Sequence, residues 1–438
     1  MPAGNCNLTL DKALVEAEER YAARNPASRA RHEAACAHLP GGNTRSILHF
    51  SPFPLSITHG EGARLRDADG HGYLDFLSEY TAGLYGHSHP VIVAAVQEAL
   101  AGGIALGGPN RYEAELAALM CARFPSLDMV RFCNSGTEAN LNAFCAARAA
   151  TGRPRILVFE GAYHGGVFHY GKTGSAMNAP FPTLTAQYND LEGARDLIDR
   201  HKDELAAVVL EPMLGAGGAI PAEPPFLRML REATRRHGIV LVFDEVMTSR
   251  LAPGGLQAKF GVIPDLSAFG KYLGGGLTFG AFGGTAEIMR RFDPRRPDAF
   301  AHSGTYNNNV LTMAAGAAGL REAFTPEAAV TLNEAADRLR KRLNAICRWH
   351  GVAMQVSGLG SINCVHFHDR PMRRPADAVG DPRKNALFHL GMLERGIHMA
   401  RRGLIATSLP LRDEDHKSFA KAFETVVDDL GPLLRDPG

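Results

Sequence analysis

No sign of charge dominates this 438-residue chain: 47 lysines and arginines stand against 46 aspartates and glutamates, a formal net charge of +1. Without a basic excess there is no footprint for a nucleic-acid backbone or an anionic membrane surface, so the expected partners are small molecules. Long hydrophobic runs are missing too. No apolar stretch reaches the roughly 18 residues that a membrane-spanning helix needs. The first ten residues lack the basic flank and apolar core of a secretory leader. The seven cysteines form no CxxC pair and follow no regular spacing, which speaks against a disulfide framework or a structural zinc and suits a reducing, cytoplasmic setting. Internal repeats and low-complexity tracts are also lacking. What remains is a chain long enough for one large α/β domain and a smaller one, with ample core.

Hydrophobic periodicity orders that chain. Residues 10–37 repeat apolar and charged positions at helical spacing and stop before Pro40-Gly41-Gly42, which predicts a leading helix and a break. Residues 55–76 alternate around Asp67-Ala-Asp-Gly70, a hairpin signal belonging to a small sheet. Strand-like runs at 156–159, 207–210 and 240–243 then alternate with helical stretches at 192–203 and 225–236, the pattern of a doubly wound, mostly parallel sheet. After Asn309 the pattern is helical to about residue 350, strand-like at 360–367, and helical again at 384–394 and 413–430. A C-terminal α+β lobe is expected, with the Arg- and Pro-rich residues 369–383 as an exposed loop.

The chemistry centres on Lys271, in Gly270-Lys-Tyr-Leu-Gly-Gly-Gly276, downstream of Leu241-Val-Phe-Asp-Glu-Val246. A lysine after an apolar strand and before three glycines has room beside its amine for a cofactor aldehyde, bound as a Schiff base. Asp244 follows a β-branched apolar run, so it belongs at the C-terminal end of a buried strand, where open α/β sheets hold ligands. There it could ion-pair with a pyridinium nitrogen, keeping the ring an electron sink. The site reads as one for pyridoxal 5'-phosphate. A carboxylate in that place equally serves as a metal ligand or a helix cap. In Phe132-Cys-Asn-Ser-Gly-Thr-Glu-Ala-Asn140 a short strand turns into a helix, and the free amides and dipole there, with the Ser135 and Thr137 hydroxyls, suit a phosphate. The plain alternative is a capping motif, Ser or Thr ahead of Glu. In Phe159-Glu-Gly-Ala-Tyr-His-Gly-Gly166 Tyr163 could stack on a flat ring, while His164 stays ambiguous. A nucleotide loop at Gly270-Lys271 is excluded, because Tyr272 stands where Ser or Thr is required and Asp265 where a glycine is.

These motifs, with His302-Ser-Gly-Thr-Tyr-Asn-Asn-Asn309, occur in the order found in the class III aminotransferases, which the chain resembles over about residues 38–410. Within that family it is most similar to the branch holding glutamate-1-semialdehyde aminomutase and the β-phenylalanine aminotransferases. The resemblance implies fold type I, with residues 1–80 packing against the small domain, a large cofactor-binding domain over 81–315 and a small domain over 316–438. It implies Lys271 as nucleophile and then base, Asp244 on the ring nitrogen, and Val246 on the ring face opposite Tyr163. Ser135, Gly136 and Thr137 would cradle the phosphate. Glu211 would sit beside the ring edge or cap its turn. Thr305 matches a threonine that reaches the phosphate from the other subunit, which implies a C₂ homodimer. Arg45 matches the arginine that holds a substrate carboxylate, and Arg402, with Arg401 beside it as the rival, the one for the 2-oxo acid. Tyr80 is a candidate wall of the side-chain pocket. The expected reaction is transfer of an amino group from a β-amino acid, an aromatic one such as β-phenylalanine, to 2-oxoglutarate or pyruvate. The alternatives are the aminomutase and another ω-amino acid aminotransferase. A non-catalytic regulator would need a DNA-binding domain that only a short leading helix leaves no room for.

Overall fold

The computed structural model describes residues 9–171 and 174–434. Residues 1–8, on which the leader argument rests, lie outside the described residues. The scaffold is a seven-stranded sheet whose strands, β1 to β7 in chain order, are Met129–Cys133, Arg155–Phe159, Thr183–Ala186, Leu205–Leu210, Val240–Asp244, Leu266–Gly270 and Gly280–Gly284. They lie in the order β1-β7-β6-β5-β4-β2-β3. Its central strands read as unbroken apolar runs because both faces are covered. Leu157, Phe159, Leu241 and Phe243 enter one core, and the alternate residues Ile156, Val158, Val240 and Val242 enter another on the opposite face.

The sheet is mostly parallel, as expected, with one strand reversed. β7 runs antiparallel to both β6 and β1. The cause is chain length: only residues 271–279 separate β6 from β7, fewer than the dozen or so that a parallel crossover needs. The register aligns the functional strand ends. Phe243 of β5 lies opposite Leu210 of β4, and Asp244 opposite Ala268 of β6, so residues just beyond 210, 244 and 270 emerge on one rim.

The N-terminal hairpin forms as expected, with Arg64–Asp67 antiparallel to Gly72–Asp75. It is completed from the far end of the chain, since Ile397–His398 pairs in parallel with Gly72–Asp75. A separate antiparallel sheet joins Gln355–Leu359, Ile362–His366 and Leu404–Ala406. Helices Pro326–His350, Pro382–Glu394 and Asp413–Asp429 pack with it around a core that includes Leu343, Val365, Phe388 and Phe423.

One expectation is corrected. The leading helix is two, Leu10–Arg24 and Pro26–Cys36, because a proline disfavours helical geometry in the residue before it and here opens the second helix. Residues 369–383 are exposed over most of their length, as expected, and the loop is tied to its neighbours. Arg373 makes a two-pronged ion pair with Glu223 at 2.8 and 3.0 Å, Asn189 donates to the Arg373 carbonyl at 2.8 Å, and residues Pro375–Ala378 form a helical turn.

Candidate active site

At the end of β5 the buried Asp244 gathers three donors or donor-capable groups. Its Oδ2 receives the Asn140 amide at 2.8 Å and lies 2.8 Å from His164 Nδ1, while Oδ1 receives the Val246 N–H at 3.0 Å. Asn140 also donates to the His164 carbonyl at 3.0 Å. Asn140, His164 and Asp244 are each at most 3 % exposed, so the carboxylate is held in one orientation by groups shielded from water. Pattern reading left His164 ambiguous and passed over Asn140. Its signal was a polar residue on the inner face of helix Gly136–Thr151, where Ala139, Ala143 and Ala147 are core.

Lys271 starts the turn after β6 and takes a left-handed backbone, φ 57°. That conformation costs a residue with a side chain on the order of 1–3 kcal/mol and persists only where surroundings enforce it. Loss of solvent, then the Arg45 and Arg402 charges, push its pKa down to about 8 against the pull of Asp244. The amine is therefore far closer to its neutral, nucleophilic form than a surface lysine.

The Ser135–Thr137 turn caps its helix and leaves free amides beside the cap. Ser135 Oγ caps the helix, receiving the Glu138 N–H at 3.1 Å. Thr137 Oγ1 receives the Gly166 N–H at 3.3 Å. The Gly136 and Thr137 amides, at the positive end of a 16-residue helix, donate to no acceptor among the described residues. Gly136 has to be glycine, because a Cβ there would come within 2.9 Å of Val246 Cγ1. Val246, half-buried, thus lies between the Ser135–Thr137 turn and Gly270.

Glu211, just past β4, brackets two turns. Its Oε1 receives the Tyr163 N–H at 3.1 Å and its Oε2 the Gly215 N–H at 2.9 Å. Burial and the neighbouring Asp244 raise its pKa to about 7. Tyr163 itself is 44 % exposed at the rim. Thr305 is exposed on the turn before helix Val310–Ala318, and that turn meets the segment leading into Ser135 through Asn307, whose Oδ1 receives the Asn134 amide at 3.0 Å.

Arg45 and Arg402 converge on one ring. Their guanidinium carbons lie 5.5 and 5.9 Å from the Tyr80 centroid, within cation–π range. Arg45 is ion-paired to Glu79, a partner that no motif announces. Arg402 donates to the Ala216 carbonyl at 3.0 Å, and Tyr80 OH to the Ile47 carbonyl at 3.0 Å. Arg401 and Arg402 line the same cavity of about 940 Å³, together with Ser46, Tyr80 and His366. Of the two, Arg402 is the one seated on Tyr80.

A lysine of depressed pKa and a clamped carboxylate at neighbouring strand ends, with an anion-ready helix start beside them, define a pyridoxal-phosphate-dependent enzyme of fold type I. The model of the class III aminotransferase family matches residues 49–427, and the chain belongs to that family. A beta-phenylalanine transaminase of Variovorax paradoxus is 51% identical over 426 residues, covering 97% of this chain and 98% of that protein. A crystal structure of a beta-phenylalanine aminotransferase from Variovorax paradoxus superposes with a TM-score of 0.96, covering 97% of this chain and 99% of that one at 51% identity. An omega-transaminase structure from Sphaerobacter thermophilus follows with a TM-score of 0.88, 40% identity and coverage of 93% and 99%. A glutamate-1-semialdehyde 2,1-aminomutase of Sorangium cellulosum is 39% identical, over 86% of this chain and 90% of its own. The cofactor is pyridoxal phosphate, and the residues present fit it: the free amides of Gly136 and Thr137 at a helix start suit its phosphate, and the Asp244 cluster and Lys271 lie at the ends of adjacent strands.

Proposed function

We propose that this aminotransferase takes the amino group from a β-amino acid, an aromatic one such as β-phenylalanine, and delivers it to 2-oxoglutarate or pyruvate. The observation that carries this reading is the pair of guanidiniums, Arg45 and Arg402, stacked on Tyr80, both acting on the Lys271 amine. Two cations near one amine suit substrates that each bring a carboxylate, and the 51% identity to a protein named beta-phenylalanine transaminase supports the donor class.

When bound, pyridoxal phosphate supplies the electron-withdrawing ring that stabilises charge at the donor's amine-bearing carbon. In our reading Lys271 Nζ would be the nucleophile that holds the cofactor and, when free, the base that moves the proton at that carbon. Its pKa of about 8 suits both duties near neutral pH. Asp244 holds the ring nitrogen, and Asn140 and His164 keep its carboxylate oriented. Ser135, Gly136 and Thr137 hold the phosphate, and Tyr163 and Val246 flank the ring. Glu211 fixes the turns that carry Tyr163 and Gly215. Arg45 clamps the donor carboxylate and Arg402 that of the 2-oxo acid. Thr305 reaches the phosphate of a second copy, so the working unit is a C₂ homodimer, and the domains run over residues 1–80, 81–315 and 316–438. Purified enzyme assayed with α-, β- and ω-amino acids against each 2-oxo acid tests the reading, which fails if β-amino acids are not the preferred donors. The aminomutase relative motivates one rival, and it shows itself as amino migration in glutamate-1-semialdehyde with no 2-oxo acid added.

A further inference from the structure

We propose that Arg250 is a positioning residue for carboxylate recognition: its buried guanidinium holds the Ser78–Thr81 run, and with it Glu79 and Tyr80, against Arg45 and Arg402. The inference rests on the reading of those two arginines as carboxylate clamps. Arg250 is fully buried, and no carboxylate among the described residues pairs with it. Burial lowers its pKa to about 10, so it remains a cation at neutral pH. A buried charge without a counter-ion is costly and persists where its hydrogen bonds do something that a neutral side chain cannot. Here the fork reaches three separate segments. Nε donates to Ser361 Oγ at 3.0 Å, Nη1 to the Thr81 carbonyl at 3.1 Å, and Nη2 to the Thr407 carbonyl.

Those segments converge on the substrate side of the site. Ser78, Glu79, Tyr80 and Thr81 have φ of 46, 47, 51 and 78°, four successive side-chain-bearing residues in the left-handed region. Such a run relaxes unless it is pinned. Its entry is pinned by Asp75, which receives the Leu77 and Ser78 N–H groups at 2.9 and 3.0 Å, and by Ser78 Oγ donating to the Ala406 carbonyl at 3.1 Å. Its exit is pinned by Arg250 at the Thr81 carbonyl. Within the run, Glu79 engages Arg45 and Tyr80 lies under both guanidiniums. The other two bonds of Arg250 steady the strand that leads away from Arg402, since Thr407 follows Leu404–Ala406 and its N–H donates to the Ser361 carbonyl at 3.0 Å. Arg250 is itself fixed, its carbonyl receiving the Asn333 amide at 2.9 Å. A lysine keeps the charge but not the planar fork that serves three acceptors.

The test uses the pyridoxal-phosphate-loaded enzyme and two unreactive probes, 3-phenylpropanoate and its neutral amide 3-phenylpropanamide, with affinities measured by competition against β-phenylalanine. In Arg250→Lys carboxylate binding should fall by at least about tenfold, while amide binding and cofactor affinity stay within about threefold. Equal loss for both probes, loss of cofactor affinity alongside, or no loss at all overturns the proposal. Should Arg250→Lys not fold, Ser361→Ala removes the Nε acceptor alone and should lower the carboxylate-to-amide affinity ratio by about threefold; an unchanged ratio overturns it. Arg45→Ala separates the two layers. If it leaves carboxylate binding unchanged, the clamp reading and this inference fall together; if it weakens the carboxylate and Arg250→Lys does not, only the positioning role falls.

Discussion

The depressed pKa of Lys271 makes a prediction about how the apoenzyme captures its cofactor. An ordinary lysine at 10.5 is neutral at pH 7 in roughly three molecules in ten thousand, whereas one at about 8 is neutral in roughly one in eleven. The fraction competent to attack an aldehyde is thus about 300-fold larger. A lowered lysine pKa places the rise earlier: the second-order rate of pyridoxal phosphate capture should climb about tenfold per unit below pH 8, bend near 8 and be flat by pH 9. After desolvation, Arg45 is the strongest contributor to the depression, so Arg45→Ala should move the bend upward. Stopped-flow absorbance of apoenzyme at fixed cofactor concentration, with Lys271→Ala as the blank for unlinked binding, reads the profile directly. A rate that keeps climbing tenfold per unit through pH 10, in the native protein, refutes the account of this amine. A bend that does not move in Arg45→Ala refutes the assigned cause.

Asn140→Ala removes one of the two side-chain contacts to Asp244 Oδ2 and should weaken cofactor affinity by about tenfold with the fold intact, checked by equilibrium absorbance titration. Asp244→Asn should slow the first half-reaction by at least about a hundredfold; native half-reaction rates would sink its role. Arg45→Ala should impair the half-reaction with β-phenylalanine by roughly ten- to a hundredfold and Arg402→Ala the one with 2-oxoglutarate, because each loses a charge-assisted contact to a differently spaced carboxylate. Equal impairment of both half-reactions by both variants would end the division of labour. Gly280→Ala should lower thermal stability and cofactor affinity together, because its Cβ would meet the Ser135 carbonyl oxygen at 2.1 Å and overpacking against backbone costs about 1–3 kcal/mol.

What the sequence made legible was local chemistry. Lys271, Asp244 and the Ser135–Thr137 turn could be picked out because each needs a residue type at a strand end or helix start, and strand ends and helix starts are written in periodicity within about ten residues. What stayed hidden depended on contacts between distant segments. Nothing around Asn140 announces that 104 residues later Asp244 will meet its amide. The pairing of Ile397–His398 with Gly72–Asp75 was equally invisible, since a two-residue strand carries no period. The one reversed strand, β7, was readable in principle from the short 271–279 connection but was masked by the alternation before it. Glu79 and Arg250 share a deeper reason. A charged residue in a sequence is by default a solvated one, and only the fold makes Glu79 the neighbour of Arg45 or buries Arg250 among carbonyls from residues 81 and 407. Their contacts, an ion pair to Arg45 for Glu79 and distant backbone carbonyls for Arg250, leave no motif in the sequence. The candidate catalytic groups are legible because the chemistry they would perform dictates their residue types; the contacts around Arg45 and Arg402 are dictated by topology, and topology is where a single sequence is silent.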